Sequence, residues 1–238
     1  MERKKFLKKS LSAIGLIALS PIANSCNKND LIGGSGTDTG DSSGSCEVSP
    51  VETEGPFPTK TPSSLVSPDI ISDRTGIPLT IKITVNNSNN SCAALEGAIV
   101  DIWHCDKDGY YSEYGGSGMQ QANYSSVHFL RGRQTTDTAG LVTFNSIFPG
   151  WYSGRAPHIH VHIYDKNGSS LLVTQIAFPT DICDSVYTTA TDFYTRGTQD
   201  TSNSSDNVFA DSLASELASV SGNVNDGFEL KHIITVAA

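Results

Sequence analysis

The stretch APHIHVHIY (residues 156–164) alternates strictly from His158 onward, with histidine at 158, 160 and 162 and Ile159, Val161 and Ile163 between them. A period of two sends successive side chains to opposite faces of a β-strand. One face reads as core, built of β-branched residues, and the other carries three of the chain's six histidines. Side chains two apart share a face at about 7 Å, so His158 and His160 can reach one metal ion. His162 falls about 13–14 Å from His158, whereas metal–imidazole bonds are about 2 Å long, so it is expected to pack or to hydrogen-bond across the sheet. Alone, an H-x-H pair fits a polar sheet face as well as a metal site.

The strand reading extends outward. LTIKITV (79–85), GAIVDIWH (97–104), LVTFNSI (141–147), LLVTQIAF (171–178) and LKHIITV (230–236) are short and rich in β-branched residues. NNSNNS, DKDGYYS, TDTAGL and DKNGSS punctuate them with turn-forming residues. This pattern predicts an all-β fold, a single β-sandwich domain of mostly antiparallel strands with long loops. Residues 211–222, DSLASELASVSG, place Leu213, Leu217 and Val220 at helical spacing, a single short helical window.

The chain starts MERKKFLKKS, continues with an apolar stretch over 11–23, and reaches small residues before Cys26. That layout predicts a signal peptide over residues 1–25; IANS before Cys26 resembles a bacterial lipobox, which implies lipidation at that cysteine. Residues 26–45 are Gly/Ser-rich and nearly free of large apolar groups, so a flexible linker is expected there. Residues 46–238 are left for one domain with its own core. The resulting expectation is an exported, membrane-anchored bacterial lipoprotein.

Residues 1–25 hold five of the 16 Lys/Arg and one of the 25 Asp/Glu, so the remainder carries a net charge of −13. No basic cluster survives in it, which argues against nucleic acid as a partner. Cys46, Cys92, Cys105 and Cys183 remain after Cys26 is set aside. In an exported chain they are expected to form two disulfides, with three pairings open.

Around the histidine strand, IFPGWYSGRAPHIH brings Tyr152 and Arg155 close in sequence to His158, and VDIWHCDKDGYYSEY carries Tyr110, Tyr111 and Tyr114 into a turn. A phenol must lose a proton with a pKa near 10 to ligate a metal, which calls for a hard trivalent ion such as Fe(III). No Asp or Glu beside the H-x-H matches a two-histidine, one-carboxylate site. Asp101, His104 and Ser112 offer hydrolase residue types, but no G-x-S-x-G is present. His128 and His232 are isolated in sequence, and Trp103 and Trp151 read as packing residues near the site.

ETEGPFP (52–58), GAIVDIWHCDKDGYYS (97–112), FLRGRQTTDTAGLVTFNSIFPGWY (129–152), RAPHIHVHIY (155–164) and TQIAF (174–178) follow the order of motifs in intradiol ring-cleavage dioxygenases, which the chain resembles over about residues 46–210. The likeness is greatest to an exported, cysteine-containing branch. It implies Fe(III) held by Tyr111, Tyr152, His158 and His160, with Arg155 offsetting negative charge on the substrate and Gln175 in the pocket. It also implies catechol and O2 as substrates and a cis,cis-muconate-type diacid as product. Only Ser153 and Gly154 separate Tyr152 from Arg155, and Pro58 stands where the family often has an aromatic; both departures imply a more open mouth. The alternative is a tethered surface β-sandwich that binds a ligand or carbohydrate without catalysis; Tyr111, Tyr152 and Arg155 around the H-x-H favour the enzyme.

Overall fold

The computed structural model describes residues 46–238, so the expected signal peptide, Cys26 and the linker lie outside the described residues. Two sheets face each other. In the first, β1 (Pro78–Asn87) lies between β5 (Leu141–Ile147) and β9 (Gly227–Val236), with β2 (Ala93–Ala94) at one end of β1 and β8 (Ser219–Asn223) beyond β9. The second sheet runs β4 (Arg131–Thr135), β3 (Ile99–Trp103), β6 (His158–Tyr164), β7 (Ser170–Ala177). All pairings are antiparallel except β1 with β9, which is parallel. The β-sandwich expected from the strand pattern is therefore the observed fold.

Alternation explains where the core lies. Ile81, Ile83 and Val85 of β1, Val142 and Phe144 of β5, and Leu230 and Ile234 of β9 meet Val100, Ile102, Ile159, Val161 and Ile163 of the second sheet. The last three are the apolar face read from APHIHVHIY. Each fully buried aliphatic side chain contributes about 1.5–3 kcal/mol.

Two helices were not read correctly from sequence. Helix α1 (Thr180–Thr189) follows Pro179, carries Asp181 in its first turn, and buries Cys183, Val186 and Tyr187. The window at 211–222 is helical only over α2 (Leu213–Glu216), after which the chain turns into β8. No helix among the described residues is long and apolar enough to cross a membrane.

One expected feature is corrected. A single disulfide joins Cys46 to Cys92 with Cα atoms 5.6 Å apart, while Cys105 and Cys183 are free and buried. Cys105 packs with Phe57, Trp103 and Tyr111, whereas Cys183 belongs to the main core on α1. Membership of separate apolar clusters, not cysteine parity, decides their state.

Candidate metal centre

Pairing across the second sheet aligns Arg131, Trp103, His160 and Gln175 in one row on the face opposite the core. Arg133, Asp101, His162 and Val173 form the next row. Loops cover the first row and leave the second half open, which is why β6 is buried on both faces at His158 and His160 but not at His162.

Three donor atoms converge under those loops. His158 Nε2 lies 3.1 Å from His160 Nε2 and 3.3 Å from the Tyr111 hydroxyl. His158 Nδ1 donates to the Ala156 carbonyl at 2.6 Å, which leaves the Nε2 lone pair free to ligate. Burial, and then the Arg155 charge, hold His158 down to about 3, and burial, with His158 beside it, holds His160 well below the usual imidazole range. Both imidazoles are thus neutral, the protonation state in which histidine ligates a metal. Burial pushes the Tyr111 hydroxyl well above the usual phenol range, so its ionisation needs a nearby cation.

Tyr152 completes the cluster, its ring centroid 5.6 Å from that of His158 and 5.9 Å from that of Tyr111. Tyr111 is fully buried, while Tyr152 is half-buried and lines a cavity of about 470 Å³ with Phe57, Gly109, Tyr110, Gln120 and Arg196. Donors bonded at about 2 Å to a common ion lie roughly 3 Å apart when adjacent, so the spacing here fits a metal. Among the described residues no group of three or more His, Cys, Asp or Glu side chains could hold an ion, and here the Tyr111 hydroxyl joins the two histidines as a further donor. Two phenols and two neutral imidazoles fit a hard trivalent cation.

Arg155 and Gln175 join the same site through a partner the sequence did not reveal. The buried carboxylate of Asp206 accepts from Arg155 Nε at 2.8 and 2.9 Å, and from the Ala156 and Val208 amides. Gln175 Oε1 accepts from Arg155 Nη2 at 2.6 Å, and Gln175 Nε2 donates to the Thr53 carbonyl at 2.9 Å. The guanidinium is thereby fixed beside the tyrosines with its charge partly offset.

The EGPFP segment roofs the centre. Gly55 adopts φ +66°, and a Cβ there would come within 3.0 Å of His160 Cε1. Phe57 stacks on Tyr111 with centroids 4.8 Å apart. Arg131, buried at the end of its row, donates to the carbonyls of Phe57 and Ser112 and to the hydroxyls of Thr59 and Ser112, tying roof to turn. Below, Trp103 stacks on His160. Trp103 therefore supports the site as well as packing, and Arg131 and Asp206 were missed because nothing local in sequence marks either.

Other candidates are not assembled. Asp101 pairs with Arg133, His104 bonds Ser146 and the Cys105 carbonyl, and Ser112 donates to the Phe129 carbonyl. The hydrolase residue types are thus dispersed. His162 bonds Ser170 across the sheet at 2.8 Å and stays clear of the donor cluster. His128 bonds Glu113 near the surface, and burial lowers His232 to about 4 on β9.

Comparison with known proteins gives the family of the chain and of its fold. The Dioxygenase_C family model, described as "Dioxygenase", matches residues 57–212. An intradiol ring-cleavage dioxygenase from Tetranychus urticae is 28% identical, with a TM-score of 0.71 over 81% of this chain and 95% of that one. The dioxygenase domain of a carbohydrate-binding fusion protein from Streptomyces sp. SirexAA-E is 26% identical, with a TM-score of 0.57 over 81% and 99%. Chlorocatechol 1,2-dioxygenase from Rhodococcus opacus is 28% identical over 120 residues, 42% of this chain and 44% of that protein, so the match spans less than half of that relative. With a family match over most of the sandwich and the same fold in its relatives, the chain belongs to the intradiol ring-cleavage dioxygenases.

Proposed function

We propose that the protein cleaves a catechol-type aromatic diol with O2 between its two hydroxyl-bearing carbons, giving a cis,cis-muconate-type diacid. It does so with Fe(III) held by Tyr111, Tyr152, His158 and His160. The observation that carries this reading is the approach of His160 Nε2 and the Tyr111 hydroxyl to His158 Nε2 at 3.1 and 3.3 Å, with Tyr152 at the cavity side. When bound, the iron supplies the Lewis acidity and redox capacity that the reaction of the diol with O2 demands.

The residues of the chain do the rest. Tyr152, facing the cavity, is the ligand free to exchange, and its oxygen is placed to take a proton from an entering diol. Tyr111, sealed beneath Phe57, stays in place. Arg155 presents positive charge to the negative charge that develops on the opening ring, an effect commonly worth about 10²–10³ in rate. Asp206 and Gln175 hold that guanidinium so that no reorganisation is needed at the moment of reaction. Phe57 and Trp103 exclude water from the two histidines.

The same reading places the protein outside the cytoplasm on a lipid anchor at Cys26. The sequence before residue 46 and the oxidised Cys46–Cys92 pair support it. Cys26→Ser is expected to move the protein from the membrane to the soluble fraction.

The test is oxygen uptake by aerobically purified, iron-supplemented protein with a panel of catechols. Consumption of one O2 per diol with a diacid product supports the proposal. Diol bound without O2 consumption in the iron-loaded protein refutes catalysis and favours a binding protein.

A further inference from the structure

The run leading to Tyr152 is held carbonyl by carbonyl. Tyr194 donates to the Phe148 carbonyl at 2.8 Å, Tyr187 to that of Pro149 at 2.9 Å, and Cys105 Sγ to that of Gly150 at 3.4 Å. Arg196 Nη1 donates to the Trp151 carbonyl and also, at 3.0 Å, to that of Asp108. In return, Trp151 Nε1 donates to the Gly197 carbonyl at 2.9 Å, and the Arg196 guanidinium lies 4.1 Å above the Trp151 ring. Three of these holds come from α1 and the turn after it.

Arg196 also spans both tyrosine-bearing loops, because Asp108 precedes Tyr111 and Trp151 precedes Tyr152. The loops touch backbone to backbone. A Cβ at Gly109 would overlap the Trp151 carbonyl and Arg196 Nη1, and one at Gly150 would overlap the Lys107 carbonyl. No acid competes for Arg196 in these bonds: Asp108 takes Lys107, and Asp200 takes Ser153, Gly154 and Thr201. Among the described residues Arg196 has no hydrogen-bonded acid partner; an exposed arginine spent on two carbonyls and an indole face is organised to fix backbone.

We propose that the segment from Tyr187 to Gly197 is a positioning cradle for Tyr152, with Arg196 as its cavity-side clamp. The cradle holds the backbone of Phe148 to Trp151 fixed and confines the exchange of Tyr152 to rotation of its side chain. The inference rests on the iron reading, and it adds Tyr187, Tyr194 and Arg196 as positioning residues that bond the backbone leading to Tyr152 rather than the donor atoms.

Arg196→Gln in the full chain tests it with two readouts. The first is ferric binding: the iron dissociation constant should rise about tenfold, in the range that supporting partners of ligands usually show, and visible tyrosinate absorbance per bound iron should fall towards that of Tyr152→Phe. The melting temperature should move little, since Arg196 is exposed. The second readout uses iron-free protein: acrylamide quenching of tryptophan fluorescence should rise, because Trp103 is buried and the accessible signal comes from Trp151. Iron affinity and absorbance equal to wild type would overturn the clamp. So would a large fall in melting temperature with both tyrosine signals lost equally, which marks a purely structural role. If even the wild type binds no Fe(III), the proposed function falls and the cradle with it, whereas iron-binding wild type with unchanged Arg196→Gln overturns the cradle alone.

Discussion

Trp103 stacks face to face on His160, with ring centroids 4.9 Å apart and planes within 3° of parallel. The two are direct cross-strand partners on β3 and β6, so strand register rather than a loop sets the plane of the imidazole. Gly55 approaches the same ring from the roof. His160 is thus oriented before any ligand arrives, while His162, one row farther along, is engaged with Ser170, Tyr164 and Glu54.

That difference separates two histidines identical in sequence pattern. His160→Gln should strip iron from the protein, and His162→Gln should leave metal content near wild type. Iron per protein, measured by atomic absorption on both purified variants, checks this. Equal loss in the two would place the donor register wrongly.

Gly55→Ala tests the roof. Gly55 sits in the left-handed region, where a side chain costs about 1–2 kcal/mol, and the new methyl would press on His160. A melting temperature lower by several degrees, together with weaker iron binding, is expected. Wild-type values for both would show that the roof yields without consequence.

The single disulfide closes a separation of 46 residues, for which chain entropy gives roughly 4 kcal/mol. Cys46→Ser with Cys92→Ser should lower stability by up to that amount while the sandwich still forms. A chain lacking Cys26 should show two thiols when unfolded without reductant, from Cys105 and Cys183, and four with it. Four before reduction would rule out the bond.

Glu216 should make stability pH-dependent. Burial pushes its carboxyl up to about 7, Ser212 opposes the shift, and Glu52 and Asp211 add to it. Because the folded protein holds this proton more tightly than the unfolded chain, the contribution is full below the ordinary value of 4.5 and is lost as pH rises through about 7. Between pH 5 and 8 the wild type should lose more stability than Glu216→Gln, on the order of 1 kcal/mol once solvent screening is allowed for. Parallel profiles from chemical denaturation would show that Glu216 does not titrate in this window.

Much of the sandwich is legible because its central strands alternate, as β1 and β6 do, with β-branched residues on the core side. Strand β4, RGRQT, carries no apolar alternation, since its arginines serve the site and an ion pair rather than the core. Strand β8, SVSGN, lies at an edge and buries little, so it lacks a hydrophobic pattern altogether. Helix α1 does carry a stripe, Cys183, Val186 and Tyr187, but its β-branched residues obscure it. In the site, residues of one strand or one turn could be placed by spacing. Asp206 and Arg131 could not, because they reach the centre only through pairings between segments distant in the chain.

The visible spectrum of the pure protein after aerobic expression with iron tests the central claim most directly. One iron per chain should give a reddish tint from tyrosinate-to-Fe(III) charge transfer, reduced in part by Tyr111→Phe and by Tyr152→Phe. It should be unchanged in Tyr110→Phe, whose side chain lies at the cavity rim. A colourless protein, or colour that survives both Tyr111→Phe and Tyr152→Phe, would contradict a ferric centre built on these two tyrosines.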